Sequence, residues 1–221
     1  MASSAYTSSG MNAGTPIVSV REDRAALILR GRRLEYLTIA WNAFEAAVAL
    51  ISGLLAGSVA LVGFGLDSVI ETASASILLW RLRAGHDGER REHTARRFVG
   101  VCFLFLAAYV AVESLRALWI KAQPERSLPG ILIAIAAVIV MPLLGRAKRN
   151  LARQLASGAL RADSRQADFC AYLSAILLVG LLLHALLGWW WADPAAALVM
   201  TPIIAREGMQ GLRGERCEDC Q

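Results

Sequence analysis

The chain has 221 residues, of which 56% are apolar and only 19% charged, and its mean hydropathy is positive at +0.48. Soluble domains carry about 25% charge, so this is not the composition of an ordinary water-soluble globule. The net charge of +5 would suit a nucleic-acid partner in a soluble protein, but here the basic residues lie between apolar runs, which reads as membrane topology and not as a nucleic-acid surface.

Residues 1–31 form a lead that starts Ser/Ala/Gly-rich. Met1 to Thr15 lacks the apolar core of a cleavable signal, and the segment is expected to be disordered and cytoplasmic. Apolar runs then follow at 34–55, 59–80, 98–120, 128–144 and 169–191. Each is long enough to cross a bilayer, which takes about 17–25 residues of helix. A sixth run, 192–205, is short. Asp193-Pro194 makes a good helix start there, with Asp as cap and Pro in the first turn. The run reaches Met209 and Leu212 if Arg206 and Glu207 lie at the interface. The fold class is therefore all-α: a polytopic six-helix transmembrane bundle over 32–212, followed by a short tail, 213–221.

Charge fixes the expected orientation. Of the 23 Lys and Arg residues, 20 lie before the first run, between runs two and three, between runs four and five, or after run six. Arg116, Lys121 and Arg126 are left on the other face. The positive-inside rule then places both termini in the cytoplasm, with the protein in the plasma (inner) membrane. Trp189, Trp190 and Trp191 fall at the outer boundary, a position that indole rings favour.

Within the second run, Asp67 and Glu71 stand one helical turn apart on one face. A charged side chain at the membrane centre costs roughly 2.5–3.5 kcal/mol on insertion scales, so such a pair needs a reason. Two anionic oxygen ligands on one face suit a divalent cation or a proton relay; the structural alternative is pairing with a neighbouring helix. Gly63 and Gly65, just before Asp67, allow another helix close. Asn42 and Glu45 share a face in the first run. Glu45 is a candidate proton carrier or second-state ligand, and equally a candidate anchor of a polar network. Glu113 and Arg116 have the spacing of a helical ion pair. His184 lies 14 residues beyond Cys170, about 21 Å along a helix, too far to share a site with it.

The segment Gly65-Leu66-Asp67-Ser68-Val69-Ile70-Glu71 resembles the second-helix motif of the cation diffusion facilitator (cation efflux) family. The stretch Ala159 to Cys170 resembles that family's lead-in to helix five, and Trp189-Trp190-Trp191-Ala192-Asp193-Pro194 its start of helix six. The resemblance implies a tetrahedral site made by Asp67, Glu71, Gln166 and Cys170. Glu71 stands where the family has Asp, Gln166 where it has His, and Cys170 where it has Asp. It also implies a branch carrying only the transmembrane domain.

Helical spacing places Gln166 and Asp163 on the face of Cys170, with Asp168 nearly opposite. Asp168 is expected to cap the fifth helix or pair with an Arg; Asp163 either caps that helix or lines the cytoplasmic mouth, and with Asn42 and Glu45 it is a candidate proton or secondary site. Cys170 is a thiolate ligand or a small buried hydrophobe. Gln166 is a neutral oxygen ligand or an interhelical hydrogen-bonding group. Auxiliary metal candidates are His86, Asp87 and His93 in the loop between runs two and three, and Cys217 and Cys220 in the tail. For each of these a solvated, unligated role is the alternative.

The expected function is secondary active export of a divalent transition-metal cation in exchange for protons. Zn2+ is the first choice, with Co2+, Fe2+, Cd2+ and Mn2+ alternatives. The metal is cargo, so no cofactor is expected, and the expected assembly is a homodimer through the third helix at Ala107, Ala108 and Ala111. A non-transporting membrane metal sensor or scaffold is the alternative. An enzyme is not expected, since neither a phosphate-binding GxxxxGK[ST] loop nor an HExxH motif is present.

Overall fold

The computed structural model describes residues 16–84, 89–155 and 158–213, and these are helical apart from short connections. His86, Asp87, Cys217, Cys220 and the side chain of His93 lie outside the described residues, as does the tail after Arg213. Six helices follow in order: α1 Pro16–Ala56, α2 Val59–Ala84, α3 Glu89–Trp119, α4 Leu128–Leu155, α5 Gly158–Leu187 and α6 Ala192–Arg213. Helices are what lipid demands, because each satisfies its own backbone groups without water. α1 begins at Pro16 and so takes in half of the stretch 1–31 expected to be disordered. Ala25 to Leu29 are good helix formers that continue the first apolar run backwards, and Pro suits a first-turn position. α1 and α5 stop where Gly57 and Gly188 take positive φ, the usual backbone for a helix C-terminus.

Helices α1 to α5 each contain a stretch long and apolar enough to cross a membrane. α6 falls short of that measure, yet its 22 residues are long enough to span. Pro202, Arg206 and Glu207 lower its hydropathy. Its buried face of Ala192, Pro194, Ala196, Ala197, Met200, Ile204 and Gly208 packs on protein, so it needs less apolar surface for lipid. Large apolar side chains cover the outside of the bundle, among them Leu54, Leu55, Phe105, Leu132 and Trp119. Apolar exposure on this scale marks a lipid-facing surface. This is an integral membrane protein.

The helices close into a ring: α1 packs on α2, α2 on α3, α3 on α6, α6 on α5, α5 on α4 and α4 back on α1. α2 also reaches across to α5 and α6. Small residues set the spacing. A Cβ on Gly63 would meet Val110 Cγ2 at 2.9 Å, and one on Gly65 would meet Leu50 Cγ at 2.8 Å. These glycines therefore seat α2 against α3 and α1, one turn from Asp67, as their sequence position suggested. Ala107 is buried in the core while Ala108 is exposed, so the three alanines of α3 do not share one outward face.

Two polar links hold opposite ends of the ring. At the end away from the termini, Asp193 of α6 accepts hydrogen bonds from Ser58 Oγ, from Val59 N at 2.9 Å and from Ala60 N at 3.5 Å. It caps the start of α2 across the bundle, where a carboxylate also complements the helix dipole. It is 1% exposed. Toward the termini, Lys148 of α4 is buried between Glu35 of α1, at 3.3 Å, and Asp163 of α5. Asp163 thus neither caps α5 nor acts alone at a mouth; it neutralises a buried lysine. Asp168 pairs with Arg149 of α4, as helical spacing suggested. Glu113 and Arg116 form the expected pair at 3.4 Å, exposed and of little energetic weight. The Trp189 and Trp191 rings stack 5.1 Å apart in the turn before α6.

Removing the cation from a buried ion group leaves uncompensated charge and costs about 3–5 kcal/mol. Lys148→Met should therefore sharply lower the thermal unfolding midpoint of the detergent-solubilised protein. Adding Glu35→Gln and Asp163→Asn to it should recover most of the loss. If Lys148→Met alone melts like the wild type, the triad does not hold α1, α4 and α5 together.

Candidate metal centre

The polar interior is concentrated where α1, α2 and α5 meet. α1 and α2 run antiparallel, and their facing residues pair in register. Asn42 Nδ2 donates to Glu71 Oε2 at 3.0 Å, and one turn further on Ser68 Oγ donates to Glu45 Oε1 at 2.8 Å. Trp41 Nε1 donates to Glu45 Oε2 at 2.7 Å, and Cys170 Sγ lies 3.8 Å from Glu45 Oε1 in donor geometry. Both Glu45 oxygens are thus taken by protein donors from α1, α2 and α5. This favours its role as network anchor, the structural one of its two expected roles.

Asp67, Glu71 and Cys170 can place one ligand atom each within 4.8 Å of one another, and all three are buried. The i, i+4 spacing aims both carboxylates of α2 at α5, and α5 presents Cys170 opposite them. Asp67 is 3% exposed, and its Oδ2 has no hydrogen-bond partner. A buried carboxylate oxygen without a donor is costly unless a cation fills the role. Among the described residues the buried lysine pairs with Glu35 and Asp163, the half-exposed Arg149 pairs with Asp168, and none of these pairs involves Asp67, Glu71 or Glu45. The cluster therefore gathers two carboxyl groups and a soft sulfur in one buried place.

A narrow cleft reaches this cluster. Asp67, Glu71, Gln166, Phe169, Ile203 and Glu207 are among its lining residues. Gln166 thus stands beside the carboxylates, as its match to Cys170 one turn away implied. Asp163 is drawn away to Lys148. His184 approaches the Trp189 carbonyl at 3.3 Å, remote from the centre. Three participants were not identified from sequence. Ser68 and Trp41 fix Glu45, and Glu207 of α6 was assigned to the interface beside Arg206. The available signal for Glu207 was an acidic residue on an otherwise apolar run, of the kind that marked Asp67.

Residues 36–213 match the transmembrane domain of the cation efflux family. The chain belongs to that family. Transmembrane protein 163 of Xenopus laevis is similar, at 27% identity over 186 residues, covering 80% of this chain and 64% of the relative. An uncharacterized transporter of Synechocystis is 31% identical over 178 residues, covering 74% of this chain and 56% of the relative. The chain therefore spans about three-fifths of the length of these two relatives.

The Glu45 network makes a stability prediction. Leaving an interior donor unsatisfied costs about 1–3 kcal/mol, so Glu45→Ala, which takes the acceptor from Trp41 Nε1 and the α1–α2 bond from Ser68, should lower thermal stability clearly. Glu45→Gln, which keeps an acceptor oxygen, should retain most of it. Equal melting of Glu45→Ala and wild type would remove Glu45 as the anchor of the network.

Proposed function

We propose that this protein exports a divalent transition-metal ion from the cytoplasm by secondary transport, with protons moving inward in exchange. The observation that carries the reading is the convergence of Asp67, Glu71 and Cys170 within 4.8 Å inside a lipid-embedded bundle. Membership of the cation efflux family supports a cation as cargo. Two carboxylates and a thiolate, with the Gln166 amide beside them, make a mixed oxygen–sulfur set that suits Zn2+ and other borderline or thiophilic ions better than Mg2+ or Ca2+. Ligation needs the carboxylates and the thiol deprotonated, so protons and metal compete for one set of atoms, which is the chemical basis of exchange.

The chain's own residues divide the work. Asp67 and Glu71 bind the ion, and Cys170 selects for softness. Asn42 orients Glu71, and Glu45 accepts from the Cys170 thiol while the centre holds no metal. Rocking within the ring of helices would expose the centre to each side of the membrane in turn. The concentration of Lys and Arg on the terminal side supports a cytoplasmic location for both termini. A homodimer would rest on the outer face of α3, where Ala108 is exposed.

Uptake of Zn2+, Co2+, Cd2+, Fe2+ and Mn2+ into inverted vesicles tests the reading. Wild-type protein should carry Zn2+ into the lumen and alkalinise it, because protons leave the lumen as the metal enters. Asp67→Asn with Glu71→Gln should abolish flux while inserting normally, since removing intramembrane charge eases insertion. Wild-type flux in that double variant removes the centre from transport. Metal binding without flux in the wild type makes the protein a sensor or scaffold.

Cys170→Ala should weaken Cd2+ and Zn2+ transport about 10- to 100-fold relative to Mn2+. An unchanged order of preference in Cys170→Ala would show that sulfur does not touch the ion.

A further inference from the structure

We infer that Glu35 of α1 and Asp163 of α5 share one proton beside Lys148 of α4, forming a proton site apart from the metal ligands. The site stands on its own buried groups, and its part in the exchange rests on the transport reading above. Lys148, 1% exposed, is paired with Asp163 Oδ2 and, at 3.3 Å, with Glu35 Oε2. One ammonium therefore faces two carboxylates, and a single negative charge is left over. Glu35 Oε1 and Asp163 Oδ2 are both buried without a hydrogen-bond donor. The two carboxyl groups lie within hydrogen-bonding reach of each other. A proton carried by one carboxyl and donated to the other satisfies the pair and cancels the surplus charge. Adjacent buried carboxyls with too few cations take this form, because both cannot ionise cheaply.

The site is set apart from the metal centre in depth and is screened from water. Glu35 precedes Asn42, whose amide binds Glu71, by two turns of α1, and Asp163 precedes Cys170 by two turns of α5. At 1.5 Å per residue both lie about 10 Å nearer the terminal side than the centre does. Further in that direction Leu151, Ala152 and Leu160 form a buried apolar cluster, with Leu27 and Leu34 packed against it. Leu151 and Ala152 follow Lys148 by one turn, and Leu160 precedes Asp163 by one turn. The cluster therefore closes off the three charged groups at their terminal end.

Among the described residues the charged groups that act on Glu35 are Lys148 of α4 and Asp163 of α5. On α2, which also packs against α1, Glu71 lies within the field of Lys148. Arg149 of α4 is turned to Asp168 of α5. Proton binding forms one O–H bond at a carboxylate oxygen, with the proton drawn from water, and takes the three groups from one negative charge to none. Separation of α1 from α4 and α5 on the terminal side would part the two carboxyls and wet them, and each would then ionise. Opening on that side therefore releases the proton toward the termini. That is the inward direction the exchange requires, and it uses no metal ligand.

The test uses the full chain, free of metal, in detergent and in proteoliposomes. The infrared spectrum at neutral pH should contain a protonated-carboxyl C=O band that Glu35→Gln and Asp163→Asn each remove. Subtracting either variant from wild type isolates this band from the carboxyls of the metal centre. Melting gives a second readout. The folded bundle holds a proton that the separated carboxyls do not, so wild-type stability should fall as pH rises from about 6 to about 9. Glu35→Gln, whose amide stands in for the protonated carboxyl, should lose one proton's share of that slope, about tenfold in the unfolding constant per pH unit. Retention of the band in either variant, or an unchanged pH slope in Glu35→Gln, overturns the shared proton and leaves a plain ion triad. If Glu35→Gln does not fold, the band in Asp163→Asn decides. A wild type that shows the band and carries no metal removes the transport reading and keeps the site, and wild-type flux without the band does the reverse.

Discussion

Every polar side chain inside this bundle has to find a donor, an acceptor or a counter-charge among its neighbours, because lipid supplies none. That constraint organises the structure. Lys148 is satisfied by Glu35 and Asp163, and Asp193 by the amides that open α2. Glu45 is satisfied by Trp41 and Ser68. When these accounts are closed, the buried oxygens still without donors include Asp67 Oδ2 and Glu207 Oε2, and both face one cleft. The remaining negative charge is thereby gathered where a cation can reach it.

The satisfied groups also give the centre its rigidity. α2 is capped from α6 at one end and tied to α1 by Asn42 and Glu45 along its middle. Gly63 and Gly65 let α3 and α1 come close on either side of the carboxylates. Ligands held this way lose little freedom on binding an ion, and their spacing is set by packing before the ion arrives. The Lys148 group is near the terminal side, where it joins α4 to both α1 and α5. It can resist opening on that side independently of the metal ligands.

Family membership and the ligand set argue at different levels. The match over residues 36–213 gives the family and its transmembrane architecture. The chemistry of this particular centre comes from its own residues: Glu where a shorter acid is usual, an amide in place of an imidazole, and sulfur in place of a carboxylate. In the proposed centre these exchanges would lengthen one ligand arm and soften one corner, and the proposed preference among metals rests on both.

The sequence by itself determined the helical class, the six helices and the shared face of Asp67 and Glu71, because hydropathy and helical period are local properties. It also carried the Asp193-Pro194 start of α6 and the pairing of Asp168 with an arginine. The start of α1 at Pro16 was not legible, since a polar lead carries no hydropathy signal that would extend the span backwards. Asp163 was read as a cap or a mouth residue because its partner, Lys148, is brought to it by the α4–α5 contact. The same holds for Glu45, whose donors come from three helices, and for Glu207, which seemed interfacial until the Gly100–Gly208 contact turned it inward. Which charges neutralise one another and which are left for a metal is decided by the rotation and depth of each helix. Those are set by side-chain packing between distant segments, and only the tertiary structure contains it.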